Sequence, residues 1–141
     1  MSIYADTSFF VSLYLPDKHS AEAQRRIAEH PRVWLTPLHR AEWTHAISQH
    51  VFQRQISARE SQQVYRDFEH DRNMGVWIQI SLPDMVFETC IELARRHVPR
   101  LGTRTLDTLH VASALELKAV RFWSFDDRQL KLAKAAGLET S

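Results

Sequence analysis

RTLDTLHVASALELK, residues 104–118, reads as a helix that is apolar on nearly every side. Such a helix must be covered on all faces, which places it between a sheet and neighbouring helices rather than at a surface. It nevertheless opens with a carboxylate, Asp107, and carries His110 one turn on. On its C-terminal side VRFWSF (120–125) has the composition of a strand, and DDRQLKLAKAA (126–136) follows as a helix with Gly137 as its C-cap. On its N-terminal side PRLGT (99–103) reads as a loop, PDMVFETCIELARRHV (83–98) as a helix and VWIQIS (76–81) as a strand.

The pattern continues to the N-terminus. SIYAD (2–6) is a strand candidate, and TSFFVSLYLP (7–16) is a helix that Pro16 helps to stop. A helix over about His19–His30 turns Ala21, Ala23, Ile27 and Ala28 inward and Gln24, Arg25 and Arg26 outward. RVWLTP (32–37) is a strand in which Thr36 and Pro37 start the next helix, about Pro37–Gln53, with Ala41, Ile47, Val51 and Phe52 in register. SARE (57–60) is a capping box that opens a polar helix ending near Met74 and Gly75. Strands separated by helices, with no hairpin signal, predict an α/β fold. The expectation is a single three-layer domain over residues 1–141, with a central parallel sheet of four or five strands flanked by helices.

Bulk composition sets the outer bounds. The chain has 141 residues, 44% hydrophobic and 25% charged, with a formal net charge of +1, which suits a folded globular protein and permits a nucleic-acid partner without demanding one. The single cysteine, Cys90, excludes a disulfide framework and any multi-cysteine zinc site. FFVSLYL (9–15) is too short to span a bilayer and lacks the flanks of a signal peptide, so a cytoplasmic protein with no membrane partner is expected.

Open parallel sheets bind ligands beyond the carboxyl ends of their strands, and four acids fall at such places. Asp6 closes the first strand, Glu42 lies in the second turn after Thr36, Asp107 opens the apolar helix and Asp126 ends the last strand. Each has a simpler reading as a cap or a helix-dipole partner. Gathered into one volume, however, they would repel one another and need a counterion. Carboxylates without a histidine or cysteine cluster suit Mg²⁺, or Mn²⁺ in its place, and so metal-assisted phosphoryl chemistry. His39, His45 and His50 share one predicted helix but not the i, i+4 spacing of a zinc site. Trp34, Trp43, Trp77 and Trp123 fall beside apolar positions and read as core.

Asp6 with Thr7 and Ser8, then AEW with Glu42, then TLDTLHVASAL with Asp107, then SFDDRQLKLAKAAGL with Asp126 together resemble the PIN-domain ribonucleases, most closely the VapC-type toxins of toxin–antitoxin pairs. The resemblance runs from Asp6 to Leu138. It implies a metal-dependent endoribonuclease that hydrolyses RNA phosphodiesters, with Asp6, Glu42, Asp107 and Asp126 as the catalytic and metal-binding acids. Thr7 and Ser124 correspond to supporting hydroxyls, and Asp126 is preferred to Asp127 because it directly follows the strand and SF. His110 matches a position that the family often fills with histidine, and is read as a packed structural imidazole. Homodimers and a small antitoxin whose tail enters the acidic groove are also implied. Val64, Tyr65 and Phe68 form either a partner contact or core.

Arg104 and Arg128, with Lys131 and Lys134 behind them, are candidates for the phosphate backbone or simply solvated helix faces. Two alternatives remain. One is a phosphate-handling α/β protein using Asp6 as an aspartyl-phosphate nucleophile, although the second Asp of the dehalogenase pattern is Ser8 here. The other is a non-catalytic PIN-like binding module.

Overall fold

Alternation along the strands explains the layering. In the first strand, β1 (Ser2–Ala5), Ile3 and Ala5 enter one apolar cluster and Tyr4 the other. Strand β2 (Arg32–Leu35) sends Val33 and Leu35 to the first and Trp34 to the second. The computed structural model describes residues 2–141. Helices α1 (Thr7–Tyr14), α2 (Ser20–Ile27), α3 (Pro37–Phe52) and α4 (Ala58–Asn73) supply residues to the first cluster. Helices α5 (Val86–Leu101), α6 (Thr105–Glu116) and α7 (Asp127–Ala135) supply the second.

With β3 (Ile78–Gln79), β4 (Arg121–Trp123) and β5 (Glu139–Thr140) the strands form one five-stranded sheet in the order β3-β2-β1-β4-β5, every pairing parallel. The chain runs outward from β1 through β2 to β3 and then crosses back to β4 on the other side of β1. The β1–β4 boundary is therefore a topological switch point, where a crevice opens beyond the carboxyl ends of the strands. Asp6 and Ser124 are the residues immediately beyond those two ends.

α6 is covered as its composition requires: Thr108 to Ala114 are all buried. No helix among the described residues is long and apolar enough to cross a membrane.

Several local expectations are corrected. α2 is shorter than predicted, with only Ala23 buried, and Ala21 and Ala28 face solvent. Arg26 is not outward: its guanidinium lies 5.3 Å from the Trp123 ring centroid and 5.5 Å from that of Phe125. α3 buries His39, Trp43 and Ile47 rather than Ala41 and Phe52, which is 82% exposed. PRLGT is not wholly loop, because α5 continues through Pro99 and ends at Gly102 (φ 69°). Arg95 and Pro99 both face solvent, so water can reach the carbonyl that proline leaves unpaired, and glycine takes the left-handed ending without strain. Phe68 is core, stacked on Trp43 at 4.2 Å and edge-on to Tyr14 at 5.3 Å, with Val64 and Tyr65 packed against the same cluster. That stripe is not a free contact surface.

Candidate active site

Asp6 is held by its local chain. It is the N-cap of α1, its side chain accepting the Phe9 N–H, while its backbone N–H continues the ladder to the Trp123 carbonyl at 3.0 Å. Ser8 Oγ donates to Asp6 Oδ1 at 2.6 Å, and Ser124 Oγ donates to Oδ2 at 2.8 Å. The residue is 5% exposed. Burial pushes its carboxyl up from the usual carboxylate range, against the hydroxyl bonds that favour its charged form.

Glu42 reaches the same place from the second turn of α3. Thr7 Oγ1 donates to Glu42 Oε1 at 2.8 Å, and His110 Nε2 bonds the same oxygen. Burial works against the Glu42 carboxylate, but His110, then Thr7 and more remote Arg104, hold its pKa below the usual range. Tyr4 lies 2.7 Å from His110 Nδ1 through its hydroxyl. With Tyr4 donating there, the His110 proton sits on Nε2 and points at Glu42. The structural reading of His110 is thus incomplete, because the imidazole packs against β1 and also bonds one of the predicted acids.

Asp107 enters from the first turn of α6, its Oδ1 accepting Gln129 Nε2 at 3.0 Å and its Oδ2 facing Arg104 Nε at 3.4 Å. Asp126 is the N-cap of α7, with Oδ1 accepting the N–H groups of Arg128 at 2.8 Å and Gln129 at 3.1 Å.

All four acids, Asp6, Glu42, Asp107 and Asp126, line one cleft of about 740 Å³ together with Arg104 and His110. An adjoining cleft of about 440 Å³ shares Arg104, Asp107 and Asp126 and adds Asp127 and Arg128. Asp127 lines only that second cleft, which favours Asp126 as the fourth acid of the set. Thr7 Oγ1 donates to Glu42 and Ser124 Oγ donates to Asp6, so the structure brings both hydroxyls onto predicted acids. Lys131 and Lys134 are exposed on α7 and line neither cleft.

Reasoning from sequence missed Gln129, and it placed Ser8 beside Asp6 and Thr7 in the first motif without giving it a role. Gln129 stands three residues after Asp126, a capping-box spacing, and that signal marks a side chain with a polar task at the start of α7. His39 offers no free nitrogen to a metal: the Thr36 N–H and hydroxyl occupy Nδ1, and Nε2 donates to the Ala5 carbonyl.

The donor set fits a hard divalent cation in its chemistry, being carboxyl groups supported by hydroxyls, one of them the buried Asp6. Among the described residues, no group of three or more His, Cys, Asp or Glu side chains converges closely enough to hold an ion by itself.

The PIN domain family model matches residues 3–135. VapC20 of Mycobacterium tuberculosis, described as a sarcin–ricin loop cleaving toxin, has a similar fold with a TM-score of 0.70 and 21% identity, covering 96% of this chain and 95% of that one. VapBC2 of Rickettsia felis, solved bound to a DNA fragment from its promoter, gives 0.70 at 14% identity over 100% and 98% of the two chains. FitAcB of Neisseria gonorrhoeae gives 0.67 at 12% over 98% and 95%. Among curated proteins none matches the chain by sequence.

Proposed function

Because the chain belongs to the PIN-domain family, we propose that it is a divalent-metal-dependent endoribonuclease and the toxin of a toxin–antitoxin pair. The observation that carries this reading is the single cleft lined by Asp6, Glu42, Asp107 and Asp126, with one of its carboxylates buried against its own ionisation. A bound Mg²⁺ or Mn²⁺ would supply an acidified water and neutralise charge on a phosphodiester. Asp6, Asp107, Asp126 and Glu42 are the residues that would hold it. Thr7 and His110 keep Glu42 ionised, and Ser8 and Ser124 keep Asp6 oriented. Arg104 and Arg128, at the rim of the adjoining cleft, would attract the RNA backbone that the acids alone repel.

Asp6 as an aspartyl-phosphate nucleophile fits less well, because both of its oxygens are already bonded to serine hydroxyls. A small antitoxin protein is the partner proposed here. The Neisseria gonorrhoeae and Rickettsia felis relatives, solved as FitAcB and VapBC2, supply the analogy. A homodimer and a cytoplasmic location complete the proposal.

The purified protein is expected to cleave RNA with Mg²⁺ or Mn²⁺, to stop when the ions are chelated, and to resume when they are returned. Cleavage that persists unchanged in excess chelator would overturn the metal-dependent reading. Replacing Arg104 and Arg128 by Ala should raise the KM for RNA with kcat little changed. It should also lower the salt-dependence slope by about 0.7 per arginine removed, as expected for single-strand phosphate contacts. An unaltered slope would remove both residues from the substrate path.

A further inference from the structure

The geometry points to Gln129 as a positioning residue for the metal-binding acids, holding Asp107 in place at the expense of leaving its own carbonyl oxygen unpaired. This inference rests on the functional reading above and adds a residue to it.

Gln129 is 1% exposed and sits at the third position of α7 after the Asp126 cap. In a capping box the side chain at that position returns to the cap's backbone N–H. Here the Asp126 N–H is already taken, donating to Ser124 Oγ at 3.0 Å. The Gln129 amide is therefore released from the helix end and extends to α6, where Nε2 donates to Asp107 Oδ1 at 3.0 Å. Its backbone N–H meanwhile donates to Asp126 Oδ1 at 3.1 Å. One residue thus touches the third and fourth acids at once. Through Ser124, which accepts from Asp126 and donates to Asp6, the same hydrogen-bonded chain reaches the first.

The other end of the amide is unrewarded. Gln129 Oε1 is buried and has no hydrogen-bond partner. Rotating the amide would not help, since it would turn Oε1 onto a carboxylate oxygen and lose the only side-chain bond. A buried unpaired acceptor costs stability, and an apolar side chain of similar volume avoids it. Packing alone therefore does not account for glutamine here, whereas fixing Asp107 does. Residues that orient the ligands of a metal act in this way, and removing them typically weakens metal binding or activity by about 10- to 100-fold.

Gln129→Met removes the donor and the unpaired acceptor together with little change in volume. Mn²⁺ binding by calorimetry is expected to weaken by about 10- to 100-fold. The melting temperature of the metal-free protein should hold or rise, and RNA cleavage should lose kcat with little change in KM. Unaltered Mn²⁺ affinity in the variant, beside measurable wild-type binding, overturns the positioning role and leaves the nuclease reading intact. A wild type that binds no Mn²⁺ overturns both. Should Gln129→Met fail to fold, Gln129→Leu takes the same measurements, and loss of fold in both assigns the side chain to stability and overturns the proposal.

Discussion

Asp6→Asn is expected to lower metal-dependent RNA cleavage by more than about 100-fold, beyond the range typical of residues that only support a ligand, while raising the melting temperature of the metal-free protein. The two effects have one cause. Asp6 is buried, and burial raises its folded pKa above the value it has in the unfolded chain. The folded state then holds the proton more tightly than the unfolded state, so ionisation at neutral pH costs stability. That cost is fully present above the folded pKa and disappears as pH falls below the unfolded value near 3.9. Asparagine keeps the shape and has no charge to bury. The hydroxyls of Ser8 and Ser124 can serve it by one donating and the other accepting.

Asp6→Ala tests something different. It also leaves the Phe9 N–H and both serines without their acceptor, and loss of such a cap costs about 0.5–2 kcal/mol. A gain in stability with loss of cleavage in Asp6→Asn would mark a site where folding is sacrificed to cation binding. Wild-type cleavage by Asp6→Asn would remove Asp6 from the reaction.

Where the chain alternates with a clear period, its fold was legible. β1, β2 and β4 carry contrasting faces, and the four acids could be located because each ends a strand or lies in the opening turns of a helix. β5 was not singled out, since Glu139–Thr140 is two residues long and gains its place only through register with Arg121 and Phe122. The buried face of α3 was misjudged because polar His39 lies inward while Phe52 lies outward. The links within the site were illegible for a different reason. Ser124 meets Asp6 across 118 positions, and His110 meets Glu42 across 68. Such pairs depend on β4 lying beside β1 and on α6 packing over them, which no local pattern encodes. Hence His110 read as structural, and Gln129 did not register at all.

His39→Ala is expected to be the most damaging substitution to the fold outside the large apolar residues, costing about 3–5 kcal/mol of the roughly 5–15 kcal/mol that stabilises a typical domain. The ring is 0% exposed and packs between Tyr4 at 4.8 Å and Phe10 at 5.1 Å. Thr36 N–H donates to its Nδ1 at 3.0 Å, so the proton lies on Nε2, which donates to the Ala5 carbonyl at 2.7 Å. Alanine leaves a cavity and strands both backbone groups, and His39→Phe fills the cavity while still stranding them. The position also ties the two ends of the site together. Ala5 precedes Asp6, and Thr36 starts the helix that carries Glu42, so loss of the imidazole frees the first acid from the second.

The same residue sets an acid limit. Burial, with nearby His110 adding to it, holds the His39 pKa well below 6.5. A folded pKa lowered in this way gives stability that is complete above the unfolded value near 6.5 and is lost as pH falls from there towards the folded pKa. Asp6 acts in the opposite direction, so the measurement belongs in the Asp6→Asn background. There the melting temperature should decline as pH drops below about 6.5, and the decline should shrink when His39→Phe is added. A flat profile from neutral pH to pH 5 in Asp6→Asn would show that His39 is not the neutral, doubly bonded imidazole that joins β1 to α3.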